Sequence, residues 1–254
     1  MDIIYLKKSS IEILKHKTSN THNHLRKILK NIFKEKSEFY INMSLKRYRE
    51  LMIEAQNIIN ANEIGSKIIK EIRPKLNNYI KTNKFLIQSN VYLRASRPIT
   101  NYETESVGWH RESFYGFNME KSINCWTPLK GVTKNNTLKF IPESQNLKDS
   151  EIIVKKEKSK STKQFSSGHK LGFLYQPKRI TSGVDFSKKK NLIVPYGNTA
   201  IFKGNLIHGA AQNNSKNIRF SIDFRIIREK DYKSNSKQFH FSSSKPYFIK
   251  YDEN

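Results

Sequence analysis

From 218 to 226 the chain alternates without exception. Ile218, Phe220, Ile222, Phe224 and Ile226 are apolar, and Arg219, Ser221, Asp223 and Arg225 between them are polar. A period of two marks a strand with two different faces. The apolar face packs on a core, and the polar face meets either water or an internal cavity. Earlier in the chain the period is helical. Leu25, Ile28, Leu29, Ile32 and Phe33 form one stripe, Leu45, Tyr48, Leu51, Met52, Ala55, Ile58 and Ile59 a second, and Ile64, Ile68, Ile69, Ile72, Leu76 and Ile80 a third. Residues 1–82 therefore read as amphipathic helices that need a surface to cover, with Pro74 expected to kink or break the last one.

After Lys84 the texture changes to short β-rich runs bounded by turn residues: 85–95, 123–129, 137–141, 151–154, 191–194, 199–202 and the alternating run itself. Such a series predicts an antiparallel sandwich or barrel. The span 143–190 is polar, with a lysine-rich stretch at 155–163 and Ser166-Ser167-Gly168-His169-Lys170, and it reads as a long mobile loop. The tail from 229 is irregular, although Tyr247, Phe248 and Tyr251 could dock on the core. The expected organisation is mainly β with α: a helical region at 1–82, a β core at 83–228 and a tail at 229–254.

Composition narrows the class. A chain of 254 residues, 36% apolar and 11% aromatic, can bury one substantial core. Its net charge of +25, from 47 Lys and Arg against 22 Asp and Glu, would suit a polyanion such as nucleic acid. The lysines are scattered from end to end among many Asn and Ile, however, and no recognition-module signature accompanies them. A single cysteine, Cys125, excludes an intramolecular disulfide framework and fits a small buried residue in a reducing cytoplasm. No apolar run approaches the roughly 20 residues of a membrane span. The first residues also lack the order of a secretory signal. The expected location is the cytoplasm; the oligomeric state is left open.

The chemistry lies in three separated residues. His110 and Glu112 are two apart in Trp109-His110-Arg111-Glu112, which on an extended backbone puts both side chains on one face. His208 follows the predicted strand at 199–202. Two histidines and one carboxylate form a facial set that holds Fe(II) and leaves three positions open. The pair His110 and Glu112 alone is a weak signal. With His208 downstream and Arg219 eleven positions beyond it, the order becomes specific.

That order resembles the Fe(II)/2-oxoglutarate-dependent oxygenases. Within them the chain is similar to the phytanoyl-CoA dioxygenase-like branch across about residues 85–228. The similarity is carried by Trp109-His110-Arg111-Glu112, Ile123-Asn124-Cys125-Trp126-Thr127-Pro128-Leu129, the stretch from Asn135 to Ser144, and Gly197 through Gly209. A closer likeness is to bacterial members associated with surface-carbohydrate biosynthesis clusters. The resemblance implies a double-stranded β-helix, a cupin-like jelly roll, with N-terminal helices buttressing one sheet. It implies Fe(II), 2-oxoglutarate and O2, with hydroxylation of a small molecule such as a carbohydrate or sugar-nucleotide precursor and release of succinate and CO2. His110, Glu112 and His208 match the metal positions. Arg219 matches the arginine that grips the far carboxylate of 2-oxoglutarate through a fork of donors, Ser221 could add a hydroxyl, and Asn124 and Trp126 could touch the co-substrate.

Two departures stand out. Glu112 replaces the usual aspartate, and Pro142-Glu143-Ser144-Gln145 stands where relatives carry Pro-Gly-Ser-His, a change expected to alter that loop without touching the metal. The carboxylate itself argues against a halogenase. Tyr92, Arg94, Arg97, Asp223 and Arg225 are open between substrate contacts and ordinary ion pairs or surface, His169 reads as solvated, and His22 and His24 have no evident partner. Two further readings stay open: a non-catalytic jelly roll that binds a ligand, and an oxygenase acting on nucleic acid or protein.

Overall fold

The computed structural model describes residues 10–33, 42–98, 108–156, 178–210, 212–236 and 246–251. In chain order these form strand β1 (Glu12–Lys15), helices α1 (Asn20–Ile32), α2 (Leu45–Ala61) and α3 (Ile64–Ile80), strands β2 (Phe85–Gln88) and β3 (Tyr92–Ser96), and the short helix α4 (Phe117–Lys121). Strands β4 (Ile123–Lys130), β5 (Leu138–Phe140), β6 (Ile153–Lys156), β7 (Lys178–Ser182), β8 (Lys190–Asn191), β9 (Asn198–Lys203), β10 (His208–Ala210), β11 (Arg219–Arg228) and β12 (Phe248–Lys250) follow.

The helices form where the stripes predict them. Helix α2 starts at Ser44, whose hydroxyl accepts the amide of Arg47 at 3.3 Å, supplying one of the partners a helix start lacks. Helix α3 runs through Pro74 without breaking, contrary to expectation. Pro74 and Lys70 lie on the exposed side. The Lys70 carbonyl that loses its donor can be solvated there, while Ile68, Ile69, Ile72 and Leu76 anchor the opposite side.

Seven strands make an antiparallel sheet in the order β1, β9, β4, β11, β2, β12, with β3 also paired to β11. The single strand predicted at 85–95 is thus two, β2 and β3, which meet different halves of β11. In β4, Pro128 lies opposite Ser221 at a register shift between Phe220 and Ser221, a position where a missing amide is tolerated. The outer face of this sheet carries Phe220, Ile222, Phe224, Ile226, Leu93, Cys125, Leu129 and Ile201, and it packs against the stripes of α1, α2 and α3 in one continuous core. Burying this face is the main reason the helices lie where they do.

A second sheet, in the order β10, β5, β8, faces the inner side of the first. Trp126, Ala200 and Phe202 of the large sheet pack against Leu138, Leu192, Val194 and Leu206 of the small one. His110 pairs with His208 as an antiparallel bridge, and the Ile180 amide donates to the Trp109 carbonyl at 2.9 Å. These bonds stitch the β6–β7 hairpin alongside the small sheet. Two facing antiparallel sheets, helices on one outer face, make the molecule a double-stranded β-helix.

Three regional expectations are corrected. Residues 12–15, within the region predicted helical, form β1, which pairs with β9 at the sheet edge. The span read as a long loop is structured at both ends: residues 144–146 and 149–151 make 3-10 turns, and β6 pairs with β7. The pairing was hidden by its composition, because among the described residues of β6 and β7 Ile180 is the one buried apolar group, with Ile152 just before β6. Residues 157–177, including His169, lie outside the described residues. In the tail, β12 pairs with β2 and buries Tyr247 and Phe248.

Candidate active site

The site is built where the two sheets face each other. His110 and His208 exchange both backbone hydrogen bonds at 3.0 Å, so their side chains emerge side by side. Arg111 is extended (φ −136°, ψ 157°) and Glu112 opens a 3-10 turn, which returns Glu112 to the face of His110 and sends Arg111 the other way. Arg111 does not pair with Glu112. It is 1% exposed and donates to Ser144 O at 2.6 Å, Leu147 O at 2.9 Å and Asp149 at 2.7 Å. The Glu112 amide donates to Gly204 O at 2.7 Å. A Cβ on Gly204 would lie 2.4 Å from Met119 O and 3.2 Å from Glu112 Cβ, so the Met119 carbonyl keeps residue 204 a glycine and Glu112 packs closely against it.

One ligand atom from each of His110, Glu112 and His208 lies within 4.8 Å of the others. The Nδ1 of His110 is 2.8 Å from Gly108 O, and the Nδ1 of His208 is 2.9 Å from Leu206 O. A carbonyl only accepts, so each Nδ1 carries the proton and each Nε2 keeps a lone pair for a ligand. Glu112 is fully buried, and its Oε2 has no hydrogen-bond partner. Buried carboxylate oxygens are normally satisfied. A carboxylate whose Oε1 lies 3.7 Å from His208 Nε2, with its other oxygen unpartnered among the described residues, fits Fe(II) beside two fixed imidazole lone pairs.

The charge states agree with ligation. Burial and the neighbouring His208 press His110 down to about 3, and burial lowers His208 as well. Both imidazoles are therefore neutral, the form that binds metals. Burial alone would raise the carboxyl of Glu112, but Arg225, then His110 and His208, hold it below the usual carboxylate range.

The polar side of β11 lines this interior. Arg219, Ser221, Asp223 and Arg225 are all buried, with Asp223 the most exposed at 9%. The Arg219 Nη1 donates to Asn136 O at 3.1 Å, while its Nε and the Ser221 hydroxyl have no hydrogen-bond partner among the described residues. Burial and Arg94 lower Arg219 to about 10, which leaves it charged at neutral pH. Asn124 stands opposite Arg225 and Trp126 opposite Asp223. Asn124 keeps an unpartnered Nδ2, whereas Trp126 belongs to the apolar wall with Phe202 and Leu206.

Arg94, Asp223 and Arg225 are engaged with one another. Asp223 accepts from Arg94 at 2.6 and 3.3 Å and pairs with Arg225 at 3.0 Å; Arg225 in turn reaches Glu112 Oε1 at 2.8 Å. Arg97 is turned to helix α2, donating to Met43 O at 2.7 Å and lying over Tyr48. Tyr92 lies under both Arg94 and Arg225, at 4.9 and 5.7 Å, and shares a hydrogen bond with Tyr247. The sequence reading missed Gln88, Tyr115 and Tyr247 as part of this region. Gln88 Oε1 accepts the Arg225 amide at 3.1 Å, and Tyr115 meets the ring of His110 edge-on at 6.1 Å. Tyr115 falls three residues after Glu112, a spacing that one turn brings back to the site; nothing in the sequence singles out Gln88.

Within Pro142-Glu143-Ser144-Gln145 it is the serine, not one of the departing residues, that reaches the chain next to a metal position. Ser144 Oγ accepts the amide of Ile207 at 2.8 Å, beside His208. Glu143 adopts φ 62°, a left-handed conformation that favours glycine. Glu143 is thus a strained residue in a turn that a glycine would enter more easily.

Fold and site together define a jelly-roll oxygenase with a two-histidine, one-carboxylate centre. Residues 18–221 match the model of the phytanoyl-CoA dioxygenase (PhyH) family. The chain belongs to that family, and Fe(II) and 2-oxoglutarate are its cofactor and co-substrate. Among solved structures, EvdO2 from Micromonospora carbonacea var. aurantiaca is similar with a TM-score of 0.59 and 11% identity, over 92% of this chain and 90% of that one. Its complex with 2-oxoglutarate is similar at 0.56. The non-heme monooxygenase ThoJ has a TM-score of 0.52 and 12% identity, over 93% of this chain and 78% of that one. The epimerase SnoN, in complex with Fe3+, alpha-ketoglutarate and nogalamycin RO, has 0.51 and 8%, over 93% and 84%. No curated protein sequence matches significantly. No helix among the described residues is long and apolar enough to cross a membrane.

Proposed function

We propose that this oxygenase hydroxylates a C–H bond of a small polar metabolite, of the carbohydrate or sugar-nucleotide kind. The observation that carries the reading is the buried His110, Glu112 and His208 cluster facing the same interior as the unpartnered Arg219 Nε and Ser221 hydroxyl. The reaction balances as substrate, 2-oxoglutarate and O2 giving hydroxylated substrate, succinate and CO2. Iron held by the cluster supplies the activation of dioxygen. The rest falls to the chain. The two Nδ1–H bonds to Gly108 O and Leu206 O fix the imidazoles, so the ligand atoms do not reorient when the co-substrate arrives.

Arg219 is the proposed anchor for the far carboxylate of 2-oxoglutarate. Its charge is buried and only one of its donors is used by Asn136 O, which leaves donors for a carboxylate. Ser221, on the same face, adds a hydroxyl. Asn124 and the tyrosines Tyr92, Tyr115 and Tyr247 offer hydrogen-bonding groups suited to a hydroxyl-rich substrate, against the apolar wall of Trp126. The Arg94–Asp223–Arg225 network frames this wall, and substrate contact with it would come through the outer atoms of Arg94.

Similar structures include a monooxygenase and an epimerase, so the test must separate these outcomes. A metabolite screen that follows succinate release finds the substrate, and mass spectrometry under labelled dioxygen reads the product. A product heavier by one oxygen atom drawn from O2 is expected. A product of unchanged mass with inverted stereochemistry sinks hydroxylation while keeping the oxygenase. Succinate released only with an oligonucleotide or a protein would move the substrate to those classes, the reading that the net charge of +25 keeps open.

A further inference from the structure

Glu112 raises a problem of coordination that an aspartate would pose less sharply. A carboxylate can bind a metal through one oxygen or through both. Two imidazoles and a chelating carboxylate would leave two positions on an octahedral ion, all of which a bidentate co-substrate fills. Binding through one oxygen leaves the third position that dioxygen needs. The longer glutamate side chain has more freedom to chelate, so something must hold it.

Arg225 is placed to do so. Its Nη2 donates at 2.8 Å to Oε1 of Glu112, the oxygen that also lies 3.7 Å from His208 Nε2, while Oε2 is buried with no hydrogen-bond partner among the described residues. The guanidinium is itself held. Nη1 pairs with Asp223 Oδ2 at 3.0 Å, the backbone amide is tied to Gln88 Oε1 at 3.1 Å, and the ring of Tyr92 lies 5.7 Å away. Asp223 is fixed in turn by two bonds from Arg94. Glu112, Arg225, Asp223 and Arg94 alternate in sign, and the +1 left on Arg225, Asp223 and Arg94 together offsets the Glu112 carboxylate. We propose that Arg225 is a positioning residue that, by holding Glu112 at Oε1, restricts its carboxylate to binding through a single oxygen. The proposal rests on the reading of this cluster as the metal site. Arg225 touches neither co-substrate nor reacting atoms in this role; it acts through Glu112.

The test loads the metal-stripped full chain with Co(II), without co-substrate, and records the visible ligand-field spectrum for wild type, R225M, R225K, E112D and the double variant E112D/R225M. Circular dichroism checks that each is folded. R225M is expected to change the spectrum, because both oxygens become available. It should also bind Co(II) about 10-fold or more weakly, the scale on which outer partners of metal ligands act. R225K keeps the charge but not the fork, and should fall between. In E112D the shorter side chain no longer meets the clamp, so adding R225M should leave the E112D spectrum unchanged. If R225M does not fold, R225K and E112D decide. Spectra unchanged from wild type and Co(II) affinities within twofold of it, in R225K and any folded R225M, would overturn the clamp and leave the metal site standing. A wild-type chain that binds no Co(II) overturns the metal site and the clamp together.

Discussion

Arg219 concentrates the residue-scale argument in one side chain. It is buried, charged and only partly bonded, on a strand face shared with the network that reaches Glu112. A hydrogen bond to a charged group contributes about 1.5–3 kcal/mol, so removing the fork should weaken 2-oxoglutarate by about 10- to 100-fold. R219M should raise the half-saturating 2-oxoglutarate concentration by that factor and leave the ligand-field spectrum of the Co(II)-loaded protein unchanged. An unaltered half-saturation would remove Arg219 from the co-substrate site. At this scale the sequence was informative about ligands and silent about clamps. His110, Glu112 and His208 could be read because their residue types and order are constrained by coordination chemistry. The bond from Arg225 to Glu112 could not, since alternation along β11 tells which residues share a face but not what the opposite wall presents to them. Arg97 shows the converse: its place after a strand suggested the cavity mouth, yet its guanidinium is drawn to Met43 O and Tyr48.

Among the elements, β11 was the most legible because its alternation is long and unbroken, and both of its faces are buried for different reasons. The apolar side closes on helices, the polar side on the site. Short elements were read poorly: β1 has one buried apolar residue, Leu14, with Ile13 exposed, too little signal to compete with the helical stripes around it. Beyond the active site, β1 and α1 enclose an unanticipated pair of histidines. His22 is fully buried, edge-on to His16 at 4.6 Å and to Tyr196 at 4.8 Å, and His16 Nε2 lies 2.8 Å from Thr199 Oγ1. Burial, then His22, lowers His16 to about 4, and burial lowers His22 too, against the opposing pull of Glu71. In the unfolded chain both titrate near the ordinary value of about 6.5. The unfolded state then binds more protons between those values, so stability falls as pH drops from about 6.5 toward 4. Urea midpoints should decline across that window, and H22F, which keeps the ring and removes the proton site, should flatten the decline. The flattening is partial because the buried His110 and His208 contribute in the same direction. A variant slope equal to wild type would show that the pair does not titrate on unfolding.

For the whole molecule, the jelly roll explains how residues far apart in the chain share one interior. The small sheet supplies His208, the segment bridged to it His110, the 3-10 turn that follows His110 supplies Glu112, and the large sheet Arg219, Asp223 and Arg225. The tail adds Tyr247. Sequence identity to the similar structures is only 8–12%, yet the architecture persists because it needs only alternation, a covered outer face and a few fixed interior groups. The central claim is that this interior binds Fe(II) and 2-oxoglutarate together. It is tested most directly by loading the metal-stripped chain with Fe(II) and 2-oxoglutarate without oxygen and recording the visible charge-transfer absorption of the chelate. Wild type should develop the band at saturating ligand, and H110A and H208A should not. Absence of the band in folded wild type, or its full persistence in both histidine variants, would contradict the claim.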